Sequence, residues 1–391
     1  MVSEYRLTDP ADRERFYQLY LYAFNGQDSE ARRRFFNARY AHGWIYGLKH
    51  DQQLTSGLYS LPFTVNFHGV AYKMNGIGDV MSAPENSGHG GAGTLLKAAL
   101  QEMHDRHVTL SYLAPFSYRY YRRFGYEQVF NHITYTIAHD HVPAYHPQHQ
   151  GGHVERMSFA AALATIKPLY AKKAQNLPGG MVREDWWWDY LTLKNRWDAG
   201  VYFDEKGQAQ GYAVYERSGA EMTVHKLLAN TPAAFEQLMA FLLKHGNTFQ
   251  KLRYESPHSQ YAGDWIQEPY AVSAVVTPYM MARIVDLQDF LNRYPFTLDF
   301  APVAIAVEDP VLPVNAGVWQ LSRTAGQTTV EKSADAAPEL TFTIQQLTKA
   351  LMGATSLHAL LMSGQGSGDL AAAARLDQAL QHATPEFNDY F

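Results

Sequence analysis

The segment from Val80 to Leu96 constrains the fold of this chain more than any other. It reads VMSAPENSGHGGAGTLL, in which an apolar strand ends at Pro84, small residues follow, and an amphipathic helix begins near Gly93. The N–H groups at a helix N-terminus, together with the helix dipole, bind phosphate or pyrophosphate. Glycines let such a ligand approach the backbone closely. The plain alternative is a flexible turn without a ligand.

The elements around this turn indicate the fold class. Two predicted helices precede a meander of strands, and a strand, the glycine turn, a helix and another strand follow. This order favours an α/β (α+β) fold with a mixed, partly parallel central sheet. The turn differs from a Rossmann fingerprint, and it lacks the Gly-Lys-Ser/Thr of a P-loop.

The rest of the chain indicates three domains. The order of predicted elements in residues 155–285 repeats the order in residues 1–138, although the residues differ, so a duplicated domain is expected. Residues 139–153 read as a polar linker, and their glycines and proline argue against histidines aligned on a helix as metal ligands. Beyond residue 285, strands and alanine-rich helices follow. We predict domains at 1–145, 146–285 and 286–391.

Composition excludes several functions. The chain has 391 residues without cysteine, and 33 Lys+Arg face 38 Asp+Glu. Without thiols there is no disulfide, thiolate nucleophile or zinc-thiolate site. The charge balance gives no reason to expect nucleic acid. No run approaches the roughly 18 apolar residues of a membrane span, and the N-terminus has no apolar leader. We therefore expect a cytoplasmic protein with no nucleic-acid partner, no membrane span and no metal site.

The glycine turn resembles that of the GNAT superfamily of N-acetyltransferases. In that superfamily a strand ending in V-x-P-E is followed by R/Q-x-x-G-x-G/A and an apolar helix, which binds the pyrophosphate of acetyl-CoA. Pro84-Glu85 matches the end of the strand, with Ser82 in place of valine. Residues 87–92 match the loop except that Ser87 stands where Arg or Gln is usual.

A second segment narrows the resemblance. YRYYRRFGY, from Tyr118 to Tyr126, resembles the GNAT region in which a tyrosine hydroxyl lies near the cofactor sulfur. Its last six residues are similar to the Y-G-R-F-G-Y stretch of the Eis (enhanced intracellular survival) family of acetyltransferases. The sequences MARIVD at 281–286 and DYF at 389–391, and the chain length, also fit that family.

The Eis resemblance implies an active GNAT domain, a second GNAT domain without a cofactor site, and a C-terminal domain like sterol-carrier proteins. In agreement, residues 228–234, LANTPAA, contain no glycine at the matching junction of the second domain. The resemblance also implies a homo-oligomer, specifically a hexamer. It assigns Tyr126 as general acid and the terminal carboxylate, on Phe391, as general base.

The expected binding residues follow from the same motifs. Acetyl-CoA is expected against the strand end, the glycine turn and the Tyr/Arg-rich helix: Val80, Met81, Ser82, Gly88, His89, Gly90, Gly91, Ala92, Gly93, Tyr121 and Arg122. His89 and Arg122 can supply the charge that Ser87 lacks. On the substrate side, Phe24 and Phe36 are candidates for an aromatic cleft, with Asp28 attracting the cation of an amine. At helical spacing, core packing is the alternative reading of these aromatics.

Three functions remain open at this point. The first is an N-acetyltransferase that passes acetyl from acetyl-CoA directly to a small-molecule or lysine amine in a ternary complex, because no thiol can carry the acetyl group. The second is a non-catalytic CoA- or lipid-binding protein that uses the C-terminal domain. The third is a tandem GNAT peptidyl transferase using aminoacyl-tRNA, which the near-neutral charge disfavours.

Overall fold

The computed structural model describes residues 3–258, 260–263, 266 and 268–391, and the chain forms two compact units. The first unit consists of Met1–Phe130, Asn176–Val182 and Tyr279–Phe391. The second consists of Asn131–Gln175 and Arg183–Pro278. Residues 1–130 of the predicted first domain and the whole predicted third domain therefore fall in the same unit, whereas residues 131–145 fall in the other. The domain boundaries at 145 and 285 stay predictions.

Most helices of the described chain begin after a Ser, Thr or Asp whose side chain accepts a hydrogen bond from a first-turn N–H group, as expected of N-caps. Ser29, Ser158, Thr231 and Thr343 are examples. The helices are α1 (Ala11–Ala23), α2 (Glu30–His42), α3 (Gly91–Asp105), α4 (Tyr118–Arg122), α5 (Phe159–Ala174), α6 (Asp185–Lys194), α7 (Pro232–Leu243), α8 (Leu287–Arg293), α9 (Ile344–Leu351), α10 (Leu357–Met362) and α11 (Leu370–Ala379).

The strands are rich in aromatic and β-branched residues, which suit a pleated, half-buried surface. They are β1 (Trp44–His50), β2 (Gln53–Phe67), β3 (Val70–Ser82), β4 (Leu110–Leu113), β5 (Glu127–Ala138), β6 (His153–Ser158), β7 (Gly180–Val182), β8 (Asp198–Phe203), β9 (Ala209–Ser218), β10 (Glu221–Ala229), β11 (Lys251–Ser256), β12 (Val272–Ile284), β13 (Phe300–Glu308), β14 (Gly317–Thr324), β15 (Gln327–Ser333), β16 (Leu340–Thr343) and β17 (Ser367–Gly368).

The first unit contains a mixed sheet that carries the glycine turn. β1, β2 and β3 are antiparallel, whereas β3 and β4 are parallel, and the last residues of β12 pair antiparallel with β4. The predicted hairpin at His68-Gly69 is confirmed, with both residues at positive φ. α3 covers one face of the sheet with Leu95, Leu96 and Leu100. The predicted change to parallel pairing after the glycine turn is therefore confirmed.

The C-terminal part of the first unit has its own sheet, in the order β15-β14-β13-β16-β17. β13 and β16 are parallel, and the other neighbours are antiparallel. α9 begins with a capping box between Thr343 and Gln346 and buries Leu347 and Leu351. This small sheet and its helices form the α+β layer that was predicted for the end of the chain.

The second unit repeats the order of the first. β8, β9 and β10 are antiparallel, α7 follows, and β11 then pairs in parallel with β10 and antiparallel with β5. Its core includes Tyr215, Leu238 and Leu242. The prediction that residues 155–285 repeat the element order of the first domain is confirmed. None of the helices in the described part of the chain has both the length and the apolarity of a membrane span.

Several local predictions were wrong. The sequence predicts separate strands at 70–74 and 77–83, but these residues form one strand, β3. A glycine normally weakens a strand, and here aromatic rings fill the space beside Gly76 and Gly78. The helix after the turn begins at Gly91, two residues earlier than predicted. β6, β7, α6 and β12 were not predicted from the sequence.

Candidate functional site

β3 and β4 separate at the point where a ligand can enter between them. The two strands pair from Met74–Leu110 to Ile77–Leu113, where β4 ends. β3 continues for five more residues, to Ser82. On the side where β4 would continue, this extension pairs with no strand among the described residues. Its backbone N–H and C=O groups on that side are therefore available to a bound molecule.

A bulge bends β3 in the same place. The register with β2 shifts between Gly57 and Tyr59, and Asp79 adopts a left-handed φ of 46°. Arg39 of α2 forms an ion pair with Asp79 at 3.2 Å, and both side chains are nearly buried. A bulge redirects backbone groups and increases local twist. The ion pair therefore holds the strand in its bent form beside the opening.

The glycine turn leads from β3 into the N-terminus of α3. Gly88 and Gly90 have φ values of 83° and 84°, and no atom lies within 4 Å of the position of a Cβ atom at either. Gly90 is the N-cap of this 15-residue helix and provides no side-chain cap. Open space, glycine backbone and uncapped N–H groups together fit a phosphate or pyrophosphate.

The first helical glycines serve packing instead. A Cβ atom at Gly91 would lie 2.5 Å from the Ser56 hydroxyl, and one at Gly93 would lie 3.1 Å from the Phe124 ring. Because both glycines lack a side chain, the first turn of α3 packs closely against Ser56 and Phe124. This close packing directs the N-terminus of α3 at the opening. Ala92 is half-buried in the same turn of helix.

The other predicted cofactor residues occupy different environments. The Val80 side chain packs against the α3 core, whereas Met81 is buried beside Phe16. Ser82 shares a hydrogen bond of 2.8 Å with Ser56, and His89 is exposed in the turn. For Met81 and Ser82, only the backbone is suited to contact a ligand.

Arg122 does not provide free charge beside the turn. Its guanidinium binds the Glu127 carboxylate through two nitrogens, at 2.9 and 2.7 Å. Arg123 lies over the Tyr120 ring at 4.7 Å, and the Tyr120 hydroxyl is 3.7 Å from the Cβ position of Gly93. Arg123 was not predicted as a site residue, and it differs from Arg122 because the Glu127 carboxylate binds Arg122.

Tyr126 is buried and belongs to a chain of hydroxyl groups. Its hydroxyl lies 2.7 Å from the Ser111 hydroxyl, which donates to the Asn75 carbonyl at 3.0 Å. The three groups form one hydrogen-bonded chain, in which either of the two hydroxyls can donate to the other. Burial raises the pKa of Tyr126 well above that of an ordinary tyrosine, while Ser111 and the charge of Arg283 act in the opposite direction. Tyr126 therefore keeps its proton at neutral pH.

Tyr121 lies beside it, with ring centroids 6.2 Å apart. It is buried in the α3 core, and burial raises the pKa of Tyr121. The structure thus brings Tyr121 and Tyr126 together, and the assignment of Tyr121 to the cofactor stays a prediction.

Phe391 is docked within the first unit. The Phe391 ring is 5% exposed and lies 5.7 Å from the Phe63 ring and 5.8 Å from the Phe387 ring. The Asp389 carbonyl accepts a hydrogen bond of 2.9 Å from the Tyr279 hydroxyl. The last five residues are therefore held by contacts of Phe387, Asp389 and Phe391.

Tyr126 and Phe391 approach the β3–β4 pair from opposite faces. Asn75 pairs with Ser111, and Gly76 with Tyr112, and successive residues of a strand face opposite sides. The Tyr126 hydroxyl meets the Ser111 side, and the Phe391 ring lies on the Gly76 side. Both contacts lie in the paired part of the strands, two residue pairs and one residue pair before Ile77–Leu113, beyond which the opening begins.

The two predicted substrate residues differ in their exposure to solvent. Phe36 is 3% exposed among the rings of α1 and α2, whereas Phe24, at the end of α1, is 49% exposed. Asp28 already binds Arg33 at 2.6 Å and the Tyr17 hydroxyl at 2.8 Å, so its charge is neutralised. The assignment of Phe24 and Phe36 to an amine site stays a prediction.

A cleft of about 470 Å³ lies beside the end of β3. Glu14 and Tyr22 of α1 line one side, and Pro84 and Glu85 line another. Within the described residues, no group of three or more His, Asp and Glu side chains is arranged to hold a metal ion. Arg15 and three glutamines line the cleft as well, and Glu14 already pairs with Arg33 at 2.9 Å, so the lining is polar and mixed in charge.

The matching junction of the second unit is closed. β10 extends beyond Val224–Tyr254, its last parallel pair with β11. Just past that pair, Nδ1 of His225 lies 2.9 Å from Oε2 of Glu255, so the two side chains bridge the strands. Thr231 caps the N-terminus of α7. The expectation that the second GNAT domain has no cofactor site stays a prediction.

Comparison with known proteins identifies the parts of the chain. Residues 4–129 and 179–284 match acetyltransferase (GNAT) domains, and residues 287–388 match the sterol carrier protein domain. No curated protein sequence matches the chain.

Solved structures match over almost the whole length. A probable N-acyltransferase from Enterococcus faecalis V583, of unknown function, is 35% identical over 98% of both chains, with a TM-score of 0.92. A GCN5-related N-acetyltransferase from Anabaena variabilis ATCC 29413 is 22% identical over 98% of both chains (TM-score 0.86). Eis1 from Mycobacterium abscessus is 21% identical over 99% of both (TM-score 0.80) and so shares the fold. The chain therefore belongs to the GNAT acetyltransferases, as a member with two GNAT domains followed by a sterol carrier protein domain and with the fold of Eis1.

Proposed function

We propose that the protein is an acetyl-CoA-dependent N-acetyltransferase that acetylates a primary amine directly in a ternary complex. The amine belongs to an aminoglycoside-like or polyamine small molecule or to a lysine side chain. One observation carries the proposal: β3 continues past the end of β4 towards an uncapped glycine turn, and Tyr126 and Phe391 contact opposite faces of the paired strands just before that opening.

The first unit offers a distinct place for each part of acetyl-CoA. The turn at Gly88 and Gly90 and the first N–H groups of α3 suit the pyrophosphate. The backbone of β3 beyond Ile77 suits the pantetheine arm, and an N–H group there can polarise the thioester carbonyl. Arg123, rather than Arg122, is the cation that we assign to the phosphates, because Glu127 neutralises Arg122.

The reaction needs two proton transfers. The amine nitrogen attacks the thioester carbonyl carbon, the C–N bond forms, and the C–S bond breaks with its electron pair leaving on sulfur. Tyr126, protonated at neutral pH, supplies a proton to that sulfur. The proton lost by the amine goes to the terminal carboxylate of Phe391, directly or through water. A free α-carboxylate has a pKa of about 3.5 and gains basicity when it is buried.

The deciding experiment measures release of CoA thiol over a panel of aminoglycosides, polyamines and lysine peptides. Because the chain has no cysteine, a thiol-reactive dye reports CoA alone. Acceleration by one class of amine, with a matching mass increase of the amine, supports the proposal. Acetyl-CoA binding without thiol release for any amine would contradict it.

The second candidate is a non-catalytic CoA- or lipid-binding protein. The match of residues 287–388 to the sterol carrier protein domain favours it. It predicts that a fluorescent fatty acid or sterol binds the protein saturably, while amines leave acetyl-CoA intact. The thiol-release panel therefore separates the two candidates.

We further propose that the enzyme assembles as a hexamer in the cytoplasm. The support is the resemblance to Eis proteins together with a fold that extends over the whole chain. Light scattering on the purified protein tests the assembly, and a monomer at micromolar concentration would contradict it.

A further inference from the structure

The turn that carries Tyr126 is held by a buried arginine from far along the chain. Arg283, on β12, is fully buried and donates a hydrogen bond from Nη1 to the Phe124 carbonyl, two residues before Tyr126. Gly125 between them has a φ of 81°, and a side chain there would collide with the Arg283 guanidinium. The glycine thus makes room for the arginine.

Arg283 is itself fixed by the C-terminal domain. Its Nη2 lies 2.5 Å from Oδ2 of Asp309, and both side chains are 0% exposed. Asp309 also accepts from Nδ2 of Asn315 at 3.0 Å and from the N–H groups of Val311 and Leu312 at 3.1 and 3.0 Å. Both oxygens of the Asp309 carboxylate are therefore occupied, and breaking this buried pair would leave a charge without a partner. Arg283 therefore cannot shift without losing several bonds.

A second group of C-terminal residues contacts the same turn. Nε2 of Gln345, on α9, donates to the Arg122 carbonyl at 2.8 Å. A methyl group of Ile344 lies 3.1 Å from the Cβ position of Gly125. Two carbonyls and the glycine of the turn are thus in contact with Arg283 and with the domain that follows it.

We propose that Arg283 is a positioning residue for Tyr126, and that the sterol carrier protein domain, through Asp309 and Gln345, holds the catalytic acid in place. This inference rests on the proposed role of Tyr126. The planar guanidinium binds a carbonyl and a carboxylate together, which an ammonium group does not reproduce. The charge of Arg283 also acts on the hydroxyl of Tyr126, in the direction of a lower pKa. The C-terminal domain is then part of the transferase and not an appended lipid-binding module.

The test compares a paired variant with a matched control. R283M/D309N removes both charges, so no buried charge is left without a partner. R293M/D289N removes another ion pair of the same unit, 3.1 Å long and partly exposed, that does not contact the turn. We expect R283M/D309N to lower kcat roughly 10- to 100-fold while KM for acetyl-CoA changes less than about twofold, and R293M/D289N to keep kcat. R283K should give an intermediate kcat.

A measurement independent of turnover completes the test. Hydrogen exchange of the amides at residues 123–127 should be faster in R283M/D309N than in the parent or in the control. A folded R283M/D309N protein with parental kcat and parental exchange would overturn the inference.

If the parent acetylates no amine, the proposed function fails, but faster exchange still supports the positioning role. If the double variant does not fold, Gln345→Ala, with Lys349→Ala on the same helix as control, is judged by the same two readouts.

Discussion

The ring of Phe391 lies over Gly76 on β3. A Cβ atom at Gly76 would come within 2.7 Å of two carbons of that ring and 2.8 Å of a third. Gly76 pairs with Leu61 on one side and Tyr112 on the other, so the strand has little freedom to move away. The missing side chain of Gly76 is therefore the space that the terminal ring occupies.

Gly76→Ala should expel the terminal ring. Overpacking a buried site costs roughly 1–3 kcal/mol of the free energy of unfolding. We expect a lower Tm, faster removal of the last residues by carboxypeptidase, and lower turnover if the terminus acts in catalysis. The double variant G76A/F391A supplies the control, because the smaller terminal residue leaves room for the methyl group. Its loss of stability should be less than the sum of the two single losses; strict additivity would contradict the contact.

Extending the chain beyond Phe391 tests the terminal carboxylate separately from the ring. Two added glycines move the carboxylate away while Phe391 remains available to bind Phe63. We expect acetyl-CoA to bind with parental affinity by calorimetry, and kcat to fall sharply. The same two glycines at the N-terminus serve as the control. Parental kcat in the C-terminal extension would eliminate the carboxylate as base.

Tyr126→Phe should lower kcat far more than it changes KM. Loss of a general acid costs roughly 10²- to 10⁴-fold. Tyr112→Phe is the matched control, since Tyr112 is equally buried and its hydroxyl has no hydrogen-bond partner among the described residues. Removing that hydroxyl should leave kcat unchanged and stability unchanged or higher.

The pH profile gives a further check on Tyr126. An acid is active when protonated, so its activity is lost as the pH rises through its pKa. Because burial raises the pKa of Tyr126, the loss should occur above the ordinary tyrosine value of about 10. An alkaline limb below pH 9 that disappears in the Tyr126→Phe variant would show that the hydroxyl is not in the environment described.

Gly90→Ala should weaken acetyl-CoA binding without unfolding the protein. At a φ of 84° an L-residue costs about 1–2 kcal/mol, and no atom obstructs its Cβ. The new methyl group would stand where the pyrophosphate is proposed to lie. Gly69→Ala, in the β2–β3 hairpin, has the same φ and the same open space, so it carries the same strain away from the turn. We expect KM for acetyl-CoA to rise several-fold in Gly90→Ala only; equal KM values in both variants would argue against a phosphate site at Gly90.

Local elements of the site could be predicted because their causes are local. Hydrophobic periodicity and glycine spacing identified the strand, turn and helix around Gly88 and Gly90. The N-caps Ser29 and Thr231 are local in the same sense, because each side chain accepts from the N–H group three residues on. The choice between Arg122 and Arg123 could not be made in this way. It depends on Glu127, whose carboxylate reaches Arg122 only after β5 has formed.

The sequence by itself determined the type of fold and the position of the glycine turn, since backbone conformation and amphipathic pattern are properties of neighbouring residues. Tertiary structure decided the burial of Phe36, the neutralisation of Asp28 by Arg33, and the position of the Phe391 ring against Gly76. It also decided the bond from Arg283 to Phe124, across 159 residues of chain. Such contacts depend on how distant strands pack, and no local pattern of residue types encodes that packing.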